Sequence, residues 1–116
     1  MVTNSLVEIF SDERGRPNAK AREDGDRRAS FLAGMLIGGI QRNLADTESS
    51  LKQVVAVQTG EIEEASIGGN DYDMTVSGQG AELEIDAFPD DPPQEYTVEE
   101  VRDALERWKK ALLERK

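Results

Sequence analysis

Hydrophobic and polar residues alternate with a period of two in residues 60–88, the most regular stretch of the chain. Glycine-rich breaks at residues 68–71 and 78–80 divide it into three runs, and both suit tight hairpins because glycine and asparagine tolerate positive φ. In the last two runs the apolar members are Tyr72, Met74, Val76, Leu83, Ile85 and Ala87, and the polar members are Asp73, Thr75, Ser77, Glu82, Glu84 and Asp86. The pattern predicts an antiparallel meander with one apolar and one acidic face. Its predicted strands are residues 61–67, 72–77 and 81–88.

A shorter apolar run near the N-terminus, residues 6–10, is a further strand candidate. Gly15 and Pro17 mark a turn after it. Beyond the turn the pattern leaves two alternatives open. Residues 18–22 return as a second strand, or residues 12–28 form a mobile segment.

Apolar residues recur at helical spacing in residues 28–59 and predict a largely buried helix, either kinked or divided into two consecutive helices. The candidates for N-terminal caps are Asp26 and Ser30 for the first part, and Asp46 and Thr47 for a second part. Gly60 is placed to end the helix, because glycine adopts the left-handed conformation there without strain.

Three glycines, Gly34, Gly38 and Gly39, lie inside this predicted helix, and each lowers helix stability by about 1 kcal/mol relative to alanine. Gly34 and Gly38 are one turn apart, so they let another backbone approach closely. Either they pack against the sheet of the same chain, or they form a self-association surface with the same helix of a second copy.

The C-terminal part opens with an acidic connector containing three prolines, residues 89–95, which we expect to be extended and non-helical. Thr97 and Glu100 have the spacing of a capping box, and Tyr96 and Val101 have that of a hydrophobic staple, so a helix should begin here. One face of this helix carries Val98, Val101, Leu105, Trp108 and Leu112. The stripe predicts an amphipathic helix with Trp108 in the core.

Together these elements predict a single α+β domain over residues 1–116. Its two layers are an antiparallel β-meander of three to five strands and, on one face of it, the buried N-terminal helical segment and the C-terminal amphipathic helix. Hydrophobic residues make up 37% of the chain but aromatic residues only 5%, so aliphatic side chains must fill most of the core.

The composition excludes several kinds of catalytic and metal-binding site. The chain has no cysteine and no histidine, which excludes disulfides, thiolate zinc sites, cysteine nucleophiles and Ser-His-Asp triads. A carboxylate mechanism and an oxygen-ligand metal site stay open on composition alone. No residue pattern supplies a catalytic residue, a cofactor site or a metal site. Residues 68–73 resemble a calcium loop only faintly, and hairpin turn chemistry accounts for them.

The net charge and the hydropathy limit the classes of partner and the cellular location that we expect. With 14 basic and 24 acidic residues the formal charge is −10, so direct nucleic-acid binding is disfavoured, because it requires a basic surface. The N-terminus lacks the pattern of a signal peptide. The longest apolar segment, residues 31–40, is shorter than the ~20 residues that a membrane span needs. We therefore expect a soluble, cytoplasmic protein without membrane contact.

The acidic face of the meander is the main candidate for a binding surface. Its members are Asp73, Glu82, Glu84 and Asp86, extended by Asp71 and by the connector residues Asp90 and Asp91. Carboxylates on neighbouring strands repel one another, and a basic protein partner would neutralise them. The alternative is a solvated face that is kept polar to prevent aggregation.

Two segments carry a resemblance to known families: residues 69–85, GNDYDMTVSGQGAELEI, and residues 98–112, VEEVRDALERWKKAL. With the turn that precedes the first helix, they resemble the small bacterial YacL-like proteins, which have no established activity. The order of elements is also similar to that of immunity proteins of polymorphic toxin and contact-dependent inhibition systems. In those systems an acidic α/β domain neutralises a cognate, often basic, toxin.

The resemblance covers most of the chain by pattern and carries over no functional residue. It implies a non-enzymatic binding protein whose partner is a basic protein, such as a toxin domain. The alternative function is a self-associating structural or regulatory domain, a homodimer formed through Gly34 and Gly38.

Overall fold

The computed structural model describes residues 6–86, 88 and 90–114, which form two antiparallel sheets and three α-helices. The first sheet is a hairpin of β1 (Val7–Ser11) and β2 (Pro17–Ala21). The second is a four-stranded sheet, in the order β3 (Glu64–Gly69), β4 (Tyr72–Ser77), β5 (Gly80–Ile85) and β6 (Gln94–Tyr96). The helices are α1 (Arg27–Gly34), α2 (Leu44–Thr59) and α3 (Val98–Glu114). The predicted α+β class is confirmed.

The N-terminal hairpin has the predicted second strand rather than a mobile segment. Its turn is organised by Asp12, whose carboxylate accepts the backbone N–H groups of Arg14 and Arg16 at 2.9 Å each. The bond from the Arg16 backbone is the main reason why the pKa of Asp12 lies below its usual value. Pro17 begins β2 at a position where the missing N–H costs no ladder hydrogen bond.

The predicted long helix consists of two helices in sequence. Asp26 caps α1 by accepting the N–H of Ala29 at 3.1 Å, so Asp26 is the cap and Ser30 is not. The helix continues as a π-helical segment, Met35–Ile40. In it the hydrogen bonds span five residues, and the last runs from the N–H of Gln41 to the carbonyl of Leu36.

The start of α2 corrects the predicted caps Asp46 and Thr47. The chain breaks earlier, and Asn43 caps the helix by accepting the N–H of Asp46 at 3.0 Å. Asp46 and Thr47 thus lie in the first turn, where the N–H of Asp46 takes the cap and the N–H of Thr47 already bonds to the backbone carbonyl of Asn43 at 3.0 Å. At the other end Gly60 adopts a φ of 82°, which confirms the predicted end of the helix.

The boundaries of the meander differ from the prediction at its two ends, and both turns are tighter than predicted because β3 runs to Gly69 and β5 begins at Gly80. The first strand begins at Glu64 instead of residue 61, because the N–H groups of Glu61 and Ile62 still bond to the carbonyl of Ala56 at the end of α2. β4 has the predicted bounds. β5 ends at Ile85, and the predicted inward position of Ala87 lies outside the described residues.

The connector carries a strand that the pattern did not predict. Its first residue, Pro89, lies outside the described residues, but β6 follows the prolines and pairs with β5. In this pairing Ala81 lies opposite Tyr96 and Leu83 opposite Gln94. The connector therefore completes the sheet.

One face of the four-stranded sheet is covered by the helices and forms the core. The largest fully buried side chains are Val7, Leu32, Met35, Leu36, Ile40, Val54, Met74, Val76, Leu83, Val101, Leu105 and Trp108. Trp108 is in the core, as predicted, and its indole N–H donates to the carbonyl of Gln41 at 2.9 Å. The opposite face of the sheet is exposed and holds the candidate site.

Candidate partner-binding surface

The exposed side of the four-stranded sheet, called the outer face below, is made of acidic and small polar side chains. It follows from the alternation along each strand, which buries every second residue against the helices. Its members are Glu64, Ser66, Asp73, Thr75, Ser77, Glu82, Glu84 and Glu95. No described element packs over them.

The strand register places carboxylates directly opposite one another on the outer face. Asp73 lies opposite Glu84, and Glu82 lies opposite Glu95. Directly opposed like charges destabilise a sheet by a fraction of a kcal/mol. None of the ion pairs formed among the described residues includes an acid of the outer face. No basic side chain in the described part of the chain therefore neutralises the charge of this face.

The charge is also segregated along the sequence. Residues 53–101 contain 13 acidic residues and no lysine or arginine, while all 14 basic residues and the other 11 acidic residues lie in the rest of the chain. This segment includes all four strands of the larger sheet. The run without basic residues is visible in the sequence. The alternation within each strand does not reveal this run, because the run appears only when charges are counted across several elements.

The structure brings together five of the seven predicted partner-binding acids. Asp73, Glu82 and Glu84 lie on the outer face, and Asp86 and Asp71 are exposed at its end. There the N–H of Asp86 donates to the carbonyl of Asp71 at 2.8 Å. Two further members of the outer face, Glu64 and Glu95, were not predicted. Their positions depend on where β3 begins and on the pairing of β6.

The two connector acids are placed differently from the rest. Asp90 is exposed, whereas Asp91 forms a hydrogen-bonded ion pair with Arg27 of α1. Phe88, just before the connector, stacks on Phe31 with the ring centroids 6.2 Å apart, and the guanidinium of Arg27 lies over Phe31. Asp91 is therefore engaged within the chain, although Phe88 stays 52% exposed.

Arg28 joins the edge of the sheet to the helices. Its Nε donates to the carbonyl of Glu95 at 2.7 Å and its Nη2 to the carboxylate of Glu100 at 2.8 Å. The carbonyl of Arg28 accepts the hydroxyl of Tyr96 at 2.6 Å. Burial raises the pKa of the Tyr96 phenol above its ordinary value of 10.0. The phenol is therefore a structural hydrogen-bond donor.

The glycines predicted for self-association lie against the chain's own sheet. A Cβ at Gly34 would be 2.7 Å from the hydroxyl oxygen of Tyr72, and one at Gly38 would be 2.9 Å from a carbon of the same ring. This is the intramolecular arrangement of the two that the sequence left open. Self-association through Gly34 and Gly38 stays a prediction that a single chain does not test.

The calcium-like segment is a hairpin turn. Asn70 adopts a φ of 53°, and its side-chain amide donates to the carbonyl of Gly38 at 2.7 Å. Across the described part of the chain, no three acidic side chains gather in an arrangement that could hold a metal ion. The acids of the outer face are spread over four strands.

Comparisons with known proteins add no relative. No protein-family model, no curated protein and no solved structure matches the chain. Within residues 6–86, 88 and 90–114, no helix is long and apolar enough to cross a membrane. The function is therefore argued from the geometry of the outer face.

Proposed function

We propose that this protein is a non-enzymatic binding protein whose outer face binds a basic protein, in the manner of an immunity or inhibitor protein. The observation that carries the proposal is the bare acidic face of the four-stranded sheet. Among the residues that the structure describes, no helix covers it and no basic side chain forms an ion pair with it.

The like charges of the outer face lower the stability of the free protein. Opposed pairs such as Asp73 with Glu84 reduce stability, so the folded protein gains when a partner brings positive charge to them. Ser66 and Thr75, which lie between the acids, have short side chains, so long lysine and arginine side chains of a partner can reach the carboxylates. A bidentate contact between arginine and carboxylate is the strongest pairing of this kind.

The charge distribution also favours rapid association. A surface with one sign of charge steers an oppositely charged protein and raises the association rate by about 10- to 1000-fold at low salt. Fast capture suits a protein that must bind a toxin before the toxin acts. A basic toxin domain is therefore the class of partner that we propose, in line with the resemblance to immunity proteins.

The test compares two variants with equal net charge. In the first, called the outer-face variant, four acids on the outer face and at its end are neutralised as Asp73→Asn, Glu82→Gln, Glu84→Gln and Asp86→Asn. In the matched control, four exposed acids away from the outer face are neutralised as Glu13→Gln, Glu23→Gln, Asp24→Asn and Glu114→Gln. Circular dichroism and denaturation first confirm that both variants fold.

Parent and variants are then used to capture partners from a lysate of the native host, at about 0.1 M and 0.5 M salt. We expect the parent and the control to retain a basic protein at low salt and the outer-face variant to lose it. With the purified partner, the outer-face variant should associate more slowly and with a flatter salt dependence, while dissociation changes less. If the outer-face variant captures the same protein at the parental rate and salt slope, the outer face is not the binding surface.

A further inference from the structure

The hydrogen-bond pattern of the larger sheet determines which backbone groups of β3 point outward. The N–H of Asp86 donates to the carbonyl of Asp71, and hydrogen-bonded pairs in an antiparallel sheet recur at every second residue. Consequently Ala65 and Ile67 of β3 bond to β4, while the N–H and C=O groups of Glu64 and Ser66 point away from the sheet. Both residues are exposed.

The other three edges of the two sheets are each bonded by an arginine. At β6, Arg28 donates to the carbonyl of Glu95 at 2.7 Å. At β1, Arg107 donates to the carbonyl of Val7 at 2.8 Å, and at β2, Arg42 donates to the carbonyl of Pro17 at 2.8 Å. Each of these bonds occupies an edge carbonyl that an added strand would otherwise use.

The edge of β3 has no such cap. Among the described residues, none forms a hydrogen bond with the outward backbone groups of Glu64 or Ser66. β3 contains neither proline nor lysine, the residues that commonly protect an edge. Within the described part of the chain, the edge of β3 is therefore open to an additional strand.

We propose that the partner adds an extended segment to the edge of β3 as a fifth strand of the sheet. The inference rests on the proposed function and names how the basic partner docks. Main-chain hydrogen bonds to Glu64 and Ser66 would give affinity, and alternate side chains would give specificity.

The chemistry of the added strand follows from the two sides of β3. On the outer side it would lie beside Glu64, and the bend before β3 adds Glu61 and Glu63, so lysine or arginine fits there. On the inner side it would lie beside Ala65 and Ile67, which are 6% and 7% exposed, so apolar residues fit there. The matching segment alternates basic and apolar residues.

A second copy of the chain fits this edge less well. Pairing of β3 with β3 would join two acidic outer faces into one surface, and each chain carries a formal charge of −10. Such a contact would strengthen as salt screens the repulsion, whereas a basic strand would bind more weakly at high salt. The salt dependence therefore separates the two occupants.

The experiment uses a synthetic octapeptide that alternates lysine and valine, acetylated and amidated at its ends. Amide hydrogen exchange of the full-length protein is measured by NMR with and without the peptide. We expect the exchange of the Glu64 and Ser66 amides to slow about tenfold when nine-tenths of the protein is bound, since only the free form then exchanges. The amide of Asp73, which already bonds within the sheet, serves as an internal control.

Two variants test the edge itself. Ser66→Pro removes an outward donor that the fold does not use, so the protein should stay folded by circular dichroism but bind the peptide at least tenfold more weakly. Ser66→Ala keeps the backbone donor and should bind like the parent.

Three outcomes overturn the inference. If the peptide binds and the outer-face variant loses it, but the Glu64 and Ser66 amides stay unprotected and Ser66→Pro binds normally, the partner sits on the outer face alone and the proposed function stands. Protection of these amides without peptide, rising with protein concentration and salt, identifies a second copy as the occupant. A peptide that does not bind at all excludes an alternating basic strand.

Discussion

Tyr72 occupies the space that the glycines of α1 and the π-helical segment leave open. Its ring is half-buried between the sheet and the helix, and a Cβ at Gly34 or Gly38 would lie closer to it than real Cβ atoms come. The atoms in the way belong to the end of a side chain, so the ring can shift at a cost. The low helix propensity of these glycines is thus offset by close packing of an aromatic ring.

A double-mutant cycle tests this packing. Alanine at Gly34 gains about 1 kcal/mol of helix propensity in any background, but in the parent it meets the hydroxyl oxygen of Tyr72 at 2.7 Å. In Tyr72→Phe the nearest ring carbon is 3.2 Å away, so the same change should be more favourable there, with a coupling of about 0.5–3 kcal/mol. Urea denaturation of the four proteins gives the coupling. Gly78→Ala, where a Cβ meets nothing within 4 Å, should show none, and a coupling of zero at Gly34 would mean that the ring does not constrain the helix.

Among the elements, α3 has the most complete set of local signals. The hydroxyl of Thr97 accepts the N–H of Glu100 at 3.0 Å, and the carboxylate of Glu100 accepts the N–H of Thr97 at 2.8 Å. This reciprocal pair is the predicted capping box. The same carboxylate accepts a hydrogen bond from Arg28, so the start of α3 is also tied to α1.

Removing the cap should therefore destabilise the whole domain. We expect Thr97→Ala to lower the free energy of unfolding by about 0.5–2 kcal/mol, because the N–H of Glu100 loses its acceptor. Thr97→Ser keeps the hydroxyl and should stay near the parent. Chemical denaturation followed by far-UV circular dichroism measures both. Parental stability in Thr97→Ala would show that other contacts fix the start of the helix.

The elements that could be predicted from the sequence are those whose signals are local. The alternation of β4 and the capping box at Thr97 each lie within a few residues, and both were predicted correctly. β6 was missed because three residues after Pro92 and Pro93 carry no pattern of their own, and they become a strand only through pairing with β5. The outer face was accordingly predicted on β4 and β5 but not at Glu64 or Glu95.

Across the whole molecule the charge is divided between two parts. The larger sheet lies in a segment without basic residues, and the rest of the chain carries a small excess of basic over acidic residues. Folding brings the acids of four strands onto one face, where the unfolded chain would hold them further apart. The native state therefore contains repulsion that salt should relieve.

We expect the free energy of unfolding to rise by a fraction of a kcal/mol between about 0.1 M and 1 M sodium chloride, as the screening length falls from about 10 Å to about 3 Å. The increase should be smaller in the outer-face variant and should persist in the control variant. Denaturation at both salt concentrations measures it. A fall in the stability of the parent would show that the ion pairs, rather than the repulsion between acids, dominate its electrostatics.

The contacts of Arg28 have a consequence for how the chain is made. This residue belongs to the first helix, yet it bonds to groups 67 and 72 positions later. On the ribosome, α1, α2 and the first three strands of the larger sheet emerge before β6 and α3 exist, so the nascent chain displays an unpaired β5 edge and an uncovered stretch of the apolar face. β6 and α3, which follow in the chain, both close that edge and cover that face. The domain therefore cannot complete its fold until α3 has been synthesised, and the interval before then is when the chain is most exposed to aggregation and most in need of a chaperone.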